Sequence, residues 1–181
     1  MNEFVKENKS VIGIALAVIL TIGVGILIAF SNTGKYEKKV AGFSKGDPNS
    51  PKVSISEENF DLGTVPYTPP TEKTIKIKNE GKSNLQLTDF KTSCGCTFVV
   101  LKIPGKEDSP KFEMHNNPTG YVGELEPGVE AELLITFDPK AHNITGSVER
   151  TVFFNTNDPE KQQAAINFKA NVEKGDHEEH H

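Results

Sequence analysis

Residues 74–90 of this chain read TIKIKNEGKSNLQLTDF, and they contain two stretches of alternating apolar and polar residues. The first stretch is TIKIK, and the second is LQLTDF. Alternation with a period of two is typical of a β-strand that is buried on one face. The residues Asn79–Gly81 between the stretches favour a chain reversal. The segment therefore predicts two consecutive antiparallel strands.

The same alternation recurs on both sides of this segment, in short runs separated by turns rich in Pro, Gly, Asn and Asp. The runs are Lys52–Ser56, Phe60–Val65, Thr97–Leu101, Ala131–Phe137, Thr151–Phe154 and Ala165–Val172. About seven to nine short strands without an amphipathic helix indicate an antiparallel β-sandwich. We predict that this all-β domain spans residues 51–173.

The core of this sandwich is expected to be built from phenylalanine. Tryptophan is absent and the two cysteines are separated by one residue, which excludes the Cys…Trp…Cys core of antibody domains. The predicted core aromatics are Phe60, Phe90, Phe98, Phe137, Phe153 and Phe168.

An apolar segment precedes the domain. Val11–Phe30 contains 20 residues without a charge, and as a helix it would span about 30 Å, the thickness of the hydrocarbon layer of a membrane. The alternative is the core of a cleaved signal peptide, but such cores usually have about 7–15 residues. We therefore predict a short tail over residues 1–10 and an uncleaved transmembrane signal anchor over residues 11–30.

Small residues recur at every fourth position of this predicted helix. Such a stripe lets helix backbones approach closely, and it predicts pairing of the anchor with itself or with another membrane helix. Chance spacing is the alternative interpretation. The stripe consists of Gly13, Ala17, Thr21, Gly25 and Ala29.

Two observations give opposite predictions for the orientation of the anchor in the membrane. Lys6 and Lys9 precede it, whereas three lysines follow within residues 35–39, and this count opposes export of the domain. The very short preceding tail and the loop-rich β domain favour export. We predict an inner (cytoplasmic) membrane protein whose domain faces the periplasm or the cell exterior.

The remaining segments are polar. Residues 31–50 have no periodicity and predict a flexible tether, and residues 174–181 predict a disordered acidic tail that contains histidine. His177, His180 and His181 of that tail are either solvated or weak ligands for Zn, Ni or Cu. The net charge is −5 and Arg150 is the only arginine, so no nucleic-acid partner is expected.

Several motifs occur in a fixed order along the β domain, and together they resemble a known family. They are Phe60–Val65 (FDLGTV), Ile77–Gly81 (IKNEG), Ser93–Thr97 (SCGCT), Leu125–Gly128 (LEPG) and Asn155–Pro159 (NTNDP). This pattern resembles the bacterial domain of unknown function 1573 (DUF1573) family. The resemblance covers residues 53–173 and implies an immunoglobulin-like fold, related to domains of cilia and centrosome proteins, without a settled activity.

Two further points belong to this resemblance. Gly63 is expected to allow a close backbone approach in the first motif. A long insert at Lys102–Gly123 departs from the family pattern.

The Cys94-Gly95-Cys96 motif leaves three outcomes open. In a straight strand the two sulfurs would lie about 6.5–7 Å apart, too far for a disulfide. A tight loop, for which Gly95 permits a left-handed backbone, would allow a disulfide or a soft-metal clamp. The third outcome is that both cysteines only pack at the start of a strand.

The directions of the predicted strands bring other ligand types towards this motif. If consecutive strands alternate in direction, the loops that face one end of the sandwich can be counted along the chain. The count places Cys94, Cys96, Met114, His115 and His142 at one end. Thiolate, thioether and imidazole suit Cu(I), and Zn(II) is the second choice. Solvated loop residues are the alternative for both histidines.

These features predict a non-enzymatic, membrane-tethered binding module of the cell envelope that holds a protein partner. The alternative is a copper- or thiol-handling protein that uses the Cys-Gly-Cys site. An enzyme is not expected, because the chain has no phosphate-binding loop, no paired carboxylates in a suitable setting and no nucleophile elbow.

Overall fold

The computed structural model describes residues 18–21, 40–115 and 117–174. The chain forms two compact units, Met1–Tyr36 and Glu37–His181. In the first unit the described residues 18–21 are helical, and the Thr21 hydroxyl donates a hydrogen bond to the Val18 carbonyl. Among the described residues, no helix is long and apolar enough to cross a membrane.

Several predicted features lie outside the described residues. They are the short tail over residues 1–10, the rest of the predicted anchor, residues 31–39 of the tether, and tail residues 175–181. Gly13, Ala17, Gly25 and Ala29 of the small-residue stripe also lie outside them.

The described part of the second unit contains nine strands and one short 3₁₀ helix, Pro139–His142. The strands are β1 (Val53–Ile55), β2 (Asn59–Pro66), β3 (Thr71–Asn79), β4 (Leu85–Thr92), β5 (Thr97–Lys102), β6 (Gly123–Leu125), β7 (Glu130–Phe137), β8 (Gly146–Thr156) and β9 (Gln163–Glu173).

These strands form two sheets. The four-stranded sheet has the order β1-β3-β7-β5, and the five-stranded sheet has the order β2-β9-β8-β4-β6. The predicted all-β, immunoglobulin-like sandwich is therefore confirmed. One pairing differs from the expectation, because β2 runs parallel to β9 with Phe60 opposite Phe168. The five-stranded sheet is mixed for this reason.

The core contains four of the six predicted aromatics. Phe60, Phe90, Phe137 and Phe168 are buried. Phe90 stacks on Phe112 at 5.1 Å between ring centroids. Phe112 is buried in the Lys102–Gly123 insert and was not among the predicted core aromatics.

The predictions for Phe98 and Phe153 were wrong. Phe153 is 36% exposed, and the Lys91 amine lies over its ring. Phe154 next to it is 1% exposed. Phe98 is half-buried under the Lys111 amine. Successive strand residues face opposite sides of a sheet, and each of these two rings lies on the outer side.

Gly63 does not serve a close backbone approach. Its φ is +67°, and a Cβ placed there would meet nothing within 4 Å. The pairing of β2 with β9 shifts between Asp61 and Thr64, and the Gly63 N–H donates to the Asp61 carboxylate at 2.7 Å. Glycine is needed here because this bulge requires a left-handed backbone.

The sandwich has two distinct ends. At the first, which we name the Asn79 end, β3 finishes opposite Val53, where the chain enters β1. The Asn79 side chain is fully buried and donates to the carbonyls of Ser83 and Leu125 at 2.8 and 2.9 Å. At the second, the cysteine end, β4 leads into Ser93–Cys96 and β9 finishes at Glu173.

Candidate functional site

The loop Ser93–Cys96 joins β4 to β5, and it is closed by a disulfide between Cys94 and Cys96. A turn shortens the distance between the two Cα atoms to 5.2 Å. The turn is held by the Cys94 carbonyl, which accepts from the Thr97 N–H at 3.1 Å and from the Thr92 hydroxyl at 2.9 Å. Of the three outcomes left open by the sequence, the structure contains the disulfide.

The two sulfurs differ in exposure and in their hydrogen-bond donors. Cys96 is fully buried, and its sulfur accepts from Nε of Arg150 at 3.1 Å. Cys94 is half-buried, and its sulfur accepts from the Cys96 N–H at 3.2 Å. Each sulfur therefore already has a donor that would stabilise a negative charge on it.

Arg150 was not predicted as a site residue. It lies on β8, where it pairs with Phe168 of β9. Val152, two residues further along β8, pairs with Thr92, the last residue of β4. Burial lowers the pKa of its guanidinium from the ordinary value. Its Nη1 donates to the Glu149 carbonyl at 2.7 Å, which fixes the side chain beside the disulfide. The one available sequence signal was that Arg150 is the only arginine in the chain.

Gly95 makes room for a histidine. Its backbone is not in the left-handed region that we expected. A Cβ on Gly95 would lie 2.8 Å from Nε2 of His142, so the imidazole packs directly against this glycine. The 3₁₀ helix that carries His142 is tied to the loop by the Asp138 N–H, which donates to the Cys96 carbonyl at 2.8 Å.

Met114 and His115 reach the same end of the sandwich, but both side chains are exposed. Phe112 pairs with Val99, and the Thr92 N–H donates to the Glu113 carbonyl at 3.4 Å. Within residues 40–115 and 117–174, no three His, Cys, Asp or Glu side chains converge on a point that could hold a metal. The Cu(I) or Zn(II) site stays a prediction, and of its non-cysteine residues the structure brings His142 against the loop.

A second feature is an open groove of about 580 Å³ on the outer face of the five-stranded sheet. We name it the β2 groove. Lys169 and Glu149, both in its lining, form an ion pair at 2.8 Å, which lowers the pKa of the Glu149 carboxyl and raises that of the Lys169 amine. Its lining includes Asp61, Gly63, Thr64, Glu149, Lys169 and Asn171.

The β domain matches the model of a known family. The family model described as "HYDIN/CFA65/VesB-like, Ig-like domain" matches residues 51–171. No curated protein is similar enough to match the chain.

Two solved structures are similar to the chain. A Porphyromonas gingivalis W83 protein of unknown function is 21% identical with a TM-score of 0.52, over 68% of this chain and 48% of that one. The PapD-like domain 7 of human CEP192 is 16% identical with a TM-score of 0.45, over 77% of this chain and 98% of that one. The chain thus spans about half the length of the P. gingivalis protein. At 21% identity the similarity to the P. gingivalis protein shows the fold alone.

Proposed function

Because the chain belongs to the HYDIN/CFA65/VesB-like, Ig-like domain family, we propose that it is a non-enzymatic binding module of the cell envelope, tethered to the membrane with its β domain in the periplasm or at the cell exterior. The observation that carries the binding role is the β2 groove. Bulges are frequent beside functional sites, because they redirect side chains and end regular strand pairing. The bulge residue Gly63 lies in the lining of this groove.

The partner is proposed to contact side chains in the groove rather than extend the sheet. Strand β2 is an edge strand that pairs with β9. The Tyr67 N–H donates to the Glu173 carbonyl of β9. Because successive residues of a strand direct their backbone groups to opposite edges, the backbone groups of Thr64 and Pro66 point to the free edge of the sheet, away from β9. Pro66 has no N–H and the bulge interrupts the strand, and both features oppose the addition of another strand.

The chemistry of the groove favours a polar partner segment. Asp61, Glu149 and Lys169 bring charges of both signs to its surface. Charged surfaces of this kind contribute mainly to the specificity and the rate of association. We propose that the partner is another protein of the envelope, recognised through a charged segment.

Photo-crosslinking from the groove tests the binding role. A photoreactive residue at Thr64, in intact cells, is expected to give one discrete adduct. The matched control is the same residue at Glu132, which is exposed on β7 of the other sheet. No adduct from Thr64, or the same adduct from both positions, would contradict a partner in the β2 groove.

The location is tested separately. The apolar segment Val11–Phe30 supports an anchor, and the β-rich domain after it supports export. A C-terminal alkaline phosphatase fusion is expected to be active, and a green fluorescent protein fusion exported through the same route is expected to be dark. The opposite pair of results would place the domain in the cytoplasm without affecting the crosslinking result.

Copper handling is the second candidate function, and the contact between His142 and Gly95 favours it. The disulfide leaves no free thiolate, so binding requires the reduced protein. We expect reduced protein to take up about one Cu(I) in competition with a chromophoric chelator.

Variants separate this site from the tail. Cys94→Ser combined with Cys96→Ser should abolish Cu(I) uptake, His142→Ala should weaken it, and deletion of residues 176–181 should leave it unchanged. Equal uptake by the wild type and the double cysteine variant would rule out the Cys-Gly-Cys site.

A further inference from the structure

We propose that the Cys94–Cys96 disulfide is a thiol–disulfide exchange site, in which an external thiolate attacks the Cys94 sulfur and Arg150 stabilises the departing Cys96 thiolate. The disulfide encloses a single residue, Gly95. Closing so short a loop restricts the unfolded chain little, so the bond adds little to the stability of the domain. The disulfide therefore acts through its chemistry rather than through an effect on folding.

Exposure assigns the roles of the two sulfurs. Cys94 is half-buried and therefore open to an approaching thiolate, whereas Cys96 is fully buried. Thiol–disulfide exchange requires the nucleophile to reach one sulfur in line with the bond to the other. The attacked sulfur is therefore that of Cys94, and the leaving sulfur is that of Cys96.

Arg150 is placed to stabilise the leaving group. Its Nε lies 3.1 Å from the Cys96 sulfur, a distance at which a cationic donor stabilises a thiolate. A thiol with a lower pKa is a better leaving group in exchange. Among the described residues, no carboxylate lies within ion-pair distance of Arg150. The cation is therefore available to the sulfur.

Arginine suits this position better than lysine would. Its planar guanidinium can donate from Nε to the sulfur and from Nη1 to the Glu149 carbonyl at the same time. The other 19 of the 20 Lys and Arg residues are lysines, and none of the lysines in the described part of the chain donates to either sulfur.

The proposed reductant is a dithiol, either of a partner protein or of a small molecule. Its first thiolate forms an S–S bond with Cys94, while the Cys94–Cys96 bond breaks and its electron pair goes to Cys96. The second thiol of the reductant then attacks this mixed disulfide and releases Cys94 as a thiolate, which takes up a proton. Two electrons pass to the protein, and the reductant leaves as a disulfide.

The first test is equilibration of the full chain with reduced and oxidised dithiothreitol. The dithiol fraction is measured from the gel shift after alkylation with a maleimide polymer. Arg150→Gln is expected to move the equilibrium about tenfold towards the disulfide, which is about 30 mV for two electrons. Arg150→Lys should fall between this variant and the wild type. Lys140→Gln, which removes an exposed cation at the same end, should match the wild type.

Two results would overturn the proposal. One is an unchanged equilibrium in an Arg150→Gln protein that retains the circular dichroism spectrum of the wild type. The other is a wild-type disulfide that dithiothreitol does not reduce while the domain stays folded.

A second test does not depend on the folding of the Arg150 variant. At a pH high enough to ionise both thiols, the lone Cys94 of the Cys96→Ser protein should react faster with oxidised glutathione than the lone Cys96 of the Cys94→Ser protein does, because Cys94 is the accessible sulfur. Faster reaction at Cys96 would reverse the assignment and contradict the proposed mechanism.

Discussion

Phe153 and Phe154 are neighbours of identical chemistry, and the structure predicts very different effects when each is replaced by alanine. Phe154 is 1% exposed and stacks on Phe90 at 5.2 Å between ring centroids. Removal of such a ring loses its burial and leaves a cavity, at a cost of about 3–5 kcal/mol in the free energy of unfolding. Phe153 is 36% exposed, with the Lys91 amine 5.5 Å from its centroid. Its removal should cost about 1 kcal/mol.

Urea denaturation of the two variants and the wild type, followed by far-ultraviolet circular dichroism, measures this difference. Each variant serves as the control for the other, because both change the same strand by the same number of atoms. Equal costs, or a larger cost at Phe153, would mean that β8 presents the opposite face to the core. The register that places Phe153 opposite Ala165 would then be wrong.

Three further predictions concern single side chains. Asn79→Ala should cost about 3 kcal/mol of unfolding free energy in urea, because it leaves the buried Leu125 carbonyl without its donor, and a cost below about 1 kcal/mol would refute this account. Gly95→Ala should lower the melting temperature in the wild type but not in the His142→Ala background, and additive effects would show that the two residues do not touch. Burial raises the pKa of the Tyr121 hydroxyl, so it should ionise above an ordinary tyrosine in a titration at 295 nm. Burial of the neutral hydroxyl therefore contributes fully to the stability of the fold below about pH 10, and this contribution is lost as the pH rises further. If the Tyr121→Phe protein gave the same titration as the wild type, the shift would be contradicted.

The strands could be predicted from the sequence because alternation is a local property. Ile75 and Ile77 are both fully buried on β3, as their spacing indicated. Local pattern could not decide between Phe153 and Phe154, because two adjacent apolar residues carry no information about which one faces inward. The parallel pairing of β2 with β9 joins residues about 100 positions apart, which is beyond the reach of periodicity.

The site was predictable in part. Counting strand directions gave the end of the sandwich where His142 meets the cysteine loop, since that argument needs only the order of the strands. Arg150 was missed because its contact with Cys96 depends on how far β8 extends beyond β4. The role of Gly95 was misjudged for a similar reason. Glycine is needed at position 95 because the His142 ring leaves no room for a Cβ, and not because the backbone has a positive φ.

The positions where the domain begins and finishes determine how it would carry a mechanical load. The chain enters β1 at the Asn79 end and leaves β9 at the cysteine end, so a force that pulls these points apart acts along the strands. Hydrogen bonds between strands lie across that direction and share the load, instead of opening one after another. Strand β9 pairs with β8 from Gln163 to Val172 and with β2 from Asn167 to Glu173, whereas β1 has 3 residues and pairs with β3. Under tension β1 should detach first, while the cysteine loop and the β2 groove stay intact.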